Sequence, residues 1–155
     1  MIRSSVVFEG VSLAQTKRLA RQLAAKLSPG MFLAFYGGLG AGKTTLIRAL
    51  AQSLGIEDIA SPTFTIVREH EANGLPFLHF DAYRLSGEDE LYAIGFEDYL
   101  ARGGVIVMEW SENVVAALPE SRLEITLCGS GDEPRSIRLQ ALGKEYESLL
   151  EELNP

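Results

Sequence analysis

A single cysteine, Cys128, is the only thiol in this 155-residue chain, which excludes an internal disulfide. Cys128 reads as a small core residue in a reducing compartment, with the cytoplasm as the expected location. Long hydrophobic runs are also missing. None approaches the ~18 residues of a membrane span, so no membrane partner is expected. The N-terminus, Met1-Ile2-Arg3-Ser4-Ser5, places one positive charge ahead of a short mixed strand and does not read as a signal peptide. Basic charge is scarce: 14 Lys and Arg stand against 21 Asp and Glu, a net charge of −7. The densest cluster, Lys17, Arg18, Arg21 and Lys26, falls on an amphipathic helix and reads as its solvated face. Affinity for a nucleic-acid backbone comes from neutralising its phosphates, so independent nucleic-acid binding is disfavoured. The two histidines, His70 and His79, do not make a metal motif and read as ordinary strand residues. No guanine-reading N-K-x-D exists, because Asn73, Asn113 and Asn154 are each followed by other residues. No arginine-rich lid segment is present either. Those two absences count against a regulatory GTPase and a small-molecule kinase.

What is present is a phosphate-binding loop. Gly37-Gly38-Leu39-Gly40-Ala41-Gly42-Lys43-Thr44 fits G-x-x-x-x-G-K-[ST]. The apolar run Phe32-Leu33-Ala34-Phe35-Tyr36 leads in, and a helix with Leu46, Ile47, Leu50 and Leu54 on its apolar face leads out. Glycines let the backbone turn tightly so that successive N–H groups converge on a phosphate, and the helix N-terminus adds partial positive charge. The loop from Gly38, Leu39, Gly40, Ala41, Gly42 and Lys43 through Thr44 and Thr45 is the expected nucleotide cradle. Lys43 is suited to the outer phosphates and the Thr44 hydroxyl to magnesium (Mg2+).

The rest of the chain predicts a single domain over residues 1–155. Ser12 with Gln15 forms a capping box that opens a helix carrying Leu19, Leu23 and Leu27, ended by Pro29-Gly30. Asn73-Gly74 signals a hairpin into the strand Leu75–Phe80, with Pro76 suggesting an edge position near its start. One or two short helices interrupted by Gly95 precede the buried strand Val105–Met108. Alternating Leu123, Ile125, Leu127 and then Ile137, Leu139, Ala141 make a second hairpin. Tyr146, Leu149, Leu150 and Leu153 give a C-terminal amphipathic helix. The fold class is α/β: a three-layer, P-loop NTPase-like fold with a mixed parallel and antiparallel sheet.

A phosphate loop needs an acidic partner at the end of a neighbouring strand. Asp81, after Phe77–Phe80, and Glu109, after Val105–Met108, are the candidates. Either carboxylate also fits a helix cap or turn, yet beside the loop at least one belongs to the magnesium site. Ser61-Pro62-Thr63-Phe64-Thr65 reads two ways: a switch in which Thr63 or Thr65 senses the terminal phosphate, or a Pro-containing turn entering a strand. Trp110 either stacks on a base or packs under the strand, and packing is favoured. Arg84 is placed to reach phosphates or to make a surface ion pair. Glu88-Asp89-Glu90 and Glu97-Asp98 read as solvated helix faces or parts of a partner surface.

Gly40-Ala41-Gly42-Lys43-Thr44-Thr45, Ser61-Pro62-Thr63-Phe64-Thr65, Phe80-Asp81-Ala82-Tyr83-Arg84-Leu85 and Glu109-Trp110 follow one another in an order and spacing that resembles the TsaE (YjeE-type) ATPases. The resemblance runs from about Phe8 to the second hairpin. It implies an ATPase required for threonylcarbamoyl modification of the adenosine beside the anticodon in tRNA. The implied cofactors are ATP and Mg2+; the implied partners are proteins of the TsaD and TsaB type, with tRNA reached only through their complex. Lys43 and Thr44 match the family's loop lysine and magnesium threonine, Asp81 its essential aspartate, and Glu109-Trp110 the pair near the nucleotide. Thr63 and Thr65 fall in its switch-like segment. On this reading Lys43, Asp81 and Glu109 are catalytic, Thr44, Asp81 and Glu109 serve the metal, and Trp110 contacts the nucleotide. ATP binding favours docking on the partners, and hydrolysis resets the complex. With no arginine finger legible, slow hydrolysis by the isolated chain is expected. Gly38 departs from the pattern, standing where the family often has Asp.

Overall fold

The computed structural model describes residues 4–57, 59–60 and 62–155. The expectations resting on Met1–Arg3 and on Ser61 fall outside the described residues. The chain opens with β1 (Ser5–Val11) and the helix α1 (Leu13–Ala24). The Ser12 hydroxyl accepts from Gln15 N at 3.2 Å and the Gln15 side chain accepts from Ser12 N at 2.9 Å, the expected capping box. α1 stops at Ala24, short of Leu27, which still packs against the core. Lys17, Arg18 and Arg21 are exposed along it, a solvated face as read.

β2 (Phe32–Tyr36) runs into the loop and then into α2 (Lys43–Ser53). β3 (Val67–Ala72) and β4 (Leu75–Asp81) pair antiparallel across Asn73-Gly74, whose φ values of +53° and +86° are those of a type I′ turn. α3 (Glu88–Ala93) and α4 (Phe96–Ala101) follow, separated at Gly95, with β5 (Val105–Glu109) next. Two short 3-10 turns, Ser111–Asn113 and Val115–Ala117, lead to the hairpin β6 (Arg122–Cys128) and β7 (Arg135–Leu142), and then to α5 (Lys144–Leu150).

All seven strands form one sheet in the order β1-β7-β6-β2-β5-β4-β3. β2 lies parallel to β5 and β6, and β5 parallel to β4; the β6–β7, β1–β7 and β3–β4 pairs are antiparallel. The sheet is therefore mixed, as its hairpins imply. β3 is an edge strand of the sheet, yet near the start of β4, at Pro76, the side toward β5 is unpaired, which is the local edge position the proline suggests. The ladder to β5 begins one residue later, at Phe77, so proline's missing N–H costs no sheet bond there.

Apolar residues alternate across the sheet and fill two cores. One, with Leu33, Phe35, Val107, Ile125 and Leu139, lies under α1, α2 and α5. The other, with Phe32, Ala34, Phe80, Ile106 and Met108, lies under α3, α4 and the 3-10 turns. The second helical layer covers β2, β5 and β4 and leaves the outward side of β6 and β7 to Glu124, Arg138 and other polar residues. That asymmetry corrects the reading of Cys128. It ends β6 on the uncovered side and is exposed, not a core residue. Among the described residues, no helix is long and apolar enough to cross a membrane.

Candidate functional site

Three parallel strands, β2, β5 and β4, end side by side. At those carboxyl ends a parallel sheet presents its ligand-binding loops. β2 delivers the phosphate loop, β5 ends on Glu109 and β4 ends on Asp81, with Asp81 and Glu109 directly in register. The two candidate carboxylates are thus neighbours on adjacent strands, both within 3% of full burial.

The loop's backbone dictates its residue types. Gly42 caps α2 with φ of +102°, which a side chain rarely tolerates. At Gly37 a Cβ would come within 2.5 Å of the Leu127 carbonyl oxygen, so β2 and β6 approach too closely for anything larger. Gly38 differs. Its φ lies outside the left-handed region and a Cβ there would meet nothing within 4 Å.

Lys43 is buried at the start of α2, its ammonium donating to the Gly37 carbonyl and lying 3.6 Å from the centre of the Trp110 ring. Burial holds its pKa below the ordinary lysine value, while the carboxylates of Glu112, Glu109 and Asp81 pull it back up. Trp110 is half-buried with φ of +59°, packs on the second core and lies 4.9 Å from the Tyr83 ring; the packing reading holds, with Lys43 on the ring.

Each carboxylate is tied to a hydroxyl from a different segment. Thr44 Oγ1 donates to Glu109 Oε1 at 2.8 Å. Thr63 Oγ1 donates to Asp81 Oδ2 at 2.9 Å, and Asp81 Oδ1 accepts from Tyr83 N at 2.9 Å. Thr63 therefore joins the site through Asp81, whereas Thr65 lies exposed just beyond it. Residues 62–66 form a turn entering β3, closed by Thr65 N and Ile66 N on the Pro62 carbonyl at 3.0 and 2.6 Å. Both readings of the segment meet here: a proline-containing turn that places a hydroxyl on a site carboxylate. Ile66 ends it with φ of +70°, a costly conformation for a β-branched residue, and its carbonyl accepts from Asp81 N at 2.8 Å. Backbone outliers thus flank both carboxylates, Ile66 beside Asp81 and Trp110 after Glu109. Arg84 stacks 5.0 Å from the Phe64 ring at the rim.

Two further residues escape the sequence reading. His79 is fully buried, with Nε2 2.8 Å from Glu109 Oε2. A carboxylate only accepts, which makes Nε2 the protonated nitrogen. His79 is thus more than an ordinary strand residue. The available signal was its parity: two residues before Asp81 it shares that residue's face of β4. The second is Arg135 at the start of β7, whose guanidinium donates to the Gly40 carbonyl at 3.1 Å. No local signal links residues 95 positions apart.

Beside the loop lies a second cavity of about 400 Å³ under the β6–β7 connection, sharing Gly42, Thr45 and Arg135 with the loop pocket. The arrangement can cradle an anion, with the hydroxyls of Thr44 and Thr63 and two carboxylates at one end and a roomy cleft at the other. Those oxygen donors would suit a hydrated divalent cation, a hard ion with oxygen ligands.

Similarity to known proteins is extensive. The family model described as threonylcarbamoyl adenosine biosynthesis protein TsaE matches residues 11–137. The tRNA threonylcarbamoyladenosine biosynthesis protein TsaE of Bacillus subtilis is 42% identical over 145 residues, 93% of this chain and 90% of that protein. Its namesake in Streptomyces coelicolor is 40% identical, covering 84% of this chain and 93% of that protein. The crystal structure of Bacillus subtilis YdiB superposes with a TM-score of 0.81 at 36% identity, covering 98% of this chain and 95% of that one. A loop, two registered carboxylates and a match spanning nearly the whole chain lead to one assignment: this chain belongs to the TsaE family.

Proposed function

We propose that this chain is an ATPase of tRNA threonylcarbamoyladenosine biosynthesis, binding ATP with Mg2+ and working through association with partner proteins of the TsaD and TsaB type. The observation that carries the ATPase reading is the pairing of each carboxylate with a hydroxyl beside the loop, Glu109 with Thr44 of the loop and Asp81 with Thr63 of the turn before β3. The pathway assignment rests on the family match and on the names its relatives carry.

In this reading the main-chain N–H groups of residues 38–45 hold the phosphates, and Lys43 leaves the Gly37 carbonyl for the outer ones. Glu109, already on the loop threonine, stands at the metal position with Thr44. Asp81 and Thr63 stand beside the terminal phosphate and orient the water that attacks it. Magnesium, when bound, neutralises the phosphate oxygens and lowers the cost of the charge that builds on them. His79 fixes Glu109 from behind, so the carboxylate need not reorganise as the reaction proceeds.

The mouth of the site supports a protein partner. Leu39 on the loop is 74% exposed and Phe64, next to Thr63, 82%, and Tyr83, next to Arg84, is exposed as well. A net charge of −7 suits docking on proteins better than gripping tRNA, and the cytoplasm follows from that pathway.

The test is nucleotide binding and turnover with purified protein, alone and with candidate partners. Magnesium-dependent ATP binding that is lost in Lys43→Ala, with hydrolysis that rises when partners are added, is the expected result. Hydrolysis at tens per second by the isolated chain, indifferent to partners, would sink the reading. Full repeated turnover of the modification in Asp81→Asn or Glu109→Gln protein that binds but does not cleave ATP would make the chain a nucleotide-gated docking module instead.

A further inference from the structure

Arg135 is the one cation besides Lys43 that lines the loop pocket among the described residues. It comes from neither the loop nor the segments that carry the carboxylates, but from the first position of β7, at the end of the β6–β7 connection. Its guanidinium contacts main-chain oxygens: Nη2 donates to Gly40 O and Gly131 O, each at 3.1 Å, and Nη1 donates to Glu133 O. Among the described residues it makes no ion pair. A guanidinium has five donors in a fixed fork suited to phosphate, and neutral carbonyls are its weaker partners.

Its location fixes which part of a nucleotide it serves. The metal end of the pocket is defined by Thr44, Glu109, Asp81 and Thr63. Arg135 stands at the opposite end, its Nε 3.5 Å from where a Gly42 side chain would begin, on the boundary with the 400 Å³ cavity. A ligand whose terminal phosphate lies by Thr63 and Asp81 passes its inner phosphate over Gly42 and Thr45, toward that cavity.

Resting on the nucleotide-binding reading above, we propose that Arg135 is a nucleotide-binding residue supplied within the chain, exchanging its carbonyl partners for the inner phosphate and so fastening the β6–β7 connection to the bound nucleotide. It is not an arginine finger for the terminal phosphate. Its contribution belongs to ground-state affinity, the same for ATP and ADP, and not to the chemical step.

The experiment compares wild type, Arg135→Gln and Arg135→Lys by titration with fluorescent ATP and ADP analogues, by steady-state hydrolysis, and by melting of the nucleotide-free proteins. Loss of a charge-assisted contact predicts that Arg135→Gln binds both nucleotides about tenfold more weakly. KM should rise with kcat nearly unchanged. Arg135→Lys, which keeps the charge without the fork, should fall between. A kcat loss with affinity intact would make Arg135 a terminal-phosphate group and overturn the proposal. Unchanged affinity overturns it as well. An affinity loss accompanied by a collapse of the nucleotide-free melting transition in both variants would make Arg135 a structural latch alone. If the wild-type protein bound neither nucleotide, the proposed function would fail first, and that result is separable from all of these.

Discussion

At the level of single residues, Lys43 shows what burying an ammonium costs. Its buried ammonium rests on the Gly37 carbonyl and the Trp110 ring. Burial keeps its pKa below the ordinary lysine value despite three nearby carboxylates. A base with a lowered native pKa binds fewer protons folded than unfolded, so the folded state gains stability as pH rises from that lowered value toward the ordinary one. Lys43→Met should therefore melt higher than wild type at neutral pH without nucleotide, by about 2 °C. The difference should shrink as pH climbs toward about 10, where lysine ordinarily titrates. Melting scans across that range check the sign, and a difference that grows with pH contradicts the account. On the proposed function the same substitution should remove nucleotide binding, which would set stability and function against each other at this position.

Gly37 and Gly38 make a second contrast between adjacent residues. Gly37→Ala drives a Cβ to 2.5 Å from the Leu127 backbone oxygen, which cannot move aside without separating β6 from β2. The expected cost is about 2 kcal/mol or more in chemical denaturation, with loss of nucleotide binding. Gly38→Asp meets open space and an ordinary φ, and should change stability by only about 0.5 kcal/mol. A severe loss in Gly38→Asp would show that the loop's backbone is not as described. Both the steric demand and its absence were illegible in the chain, because the partner of Gly37 is a strand 90 residues further on.

Among the elements, those specified by short-range chemistry were legible and those specified by contact across the sheet were not. The capping box of α1, the Asn73-Gly74 turn and the break at Gly95 each rest on neighbours within a few residues, and each forms as read. The alternation of Leu123, Ile125 and Leu127 correctly places them inward on β6. That alternation also turns Cys128 outward, yet whether an outward residue is buried depends on which strands the second helical layer covers. No local periodicity carries that information. His79 and Arg135 were missed for the same reason, since each acquires its meaning from a strand or loop that only the topology brings near.

The docking of α5 offers a test at this level. Tyr146 is buried and its hydroxyl oxygen accepts from the Phe32 N–H at 2.8 Å, tying the last helix to the strand that delivers the phosphate loop. Burial raises the Tyr146 pKa, so the neutral phenol persists through the physiological range. Tyr146→Phe keeps the ring and leaves a buried N–H without its acceptor, at a cost of about 1–3 kcal/mol. Urea denaturation should show that loss with an unchanged m-value, and hydrogen exchange at Phe32 should accelerate. Unchanged stability would mean that the helix is held by its apolar face alone.

At the scale of the whole molecule, the candidate site is assembled, yet for the proposed phosphoryl transfer it is incomplete. Its two candidate carboxylates are in register, its loop lysine is in place, and among the described residues the one further cation lining the pocket, Arg135, rests on the Gly40 carbonyl. No arginine among the described residues faces the end where Thr63 meets Asp81; Arg84 instead stacks on Phe64 at the rim. Phosphoryl transfer accelerates by a factor of about 10³–10⁵ when a cation reaches the charge developing on the terminal phosphate. For the proposed ATPase this predicts slow turnover by the isolated chain and a remedy, a partner that covers Leu39 and Phe64 and either supplies that cation or turns Arg84 inward. Single-turnover hydrolysis should thus rise at least about tenfold with saturating partner proteins. Arg84→Ala separates the two routes. If the partner redirects Arg84, the variant loses stimulation while keeping its unstimulated rate and nucleotide affinity; if the partner brings its own cation, stimulation survives. Hydrolysis unaffected by partners in the wild-type chain would show that the exposed apolar rim serves something other than completing this site.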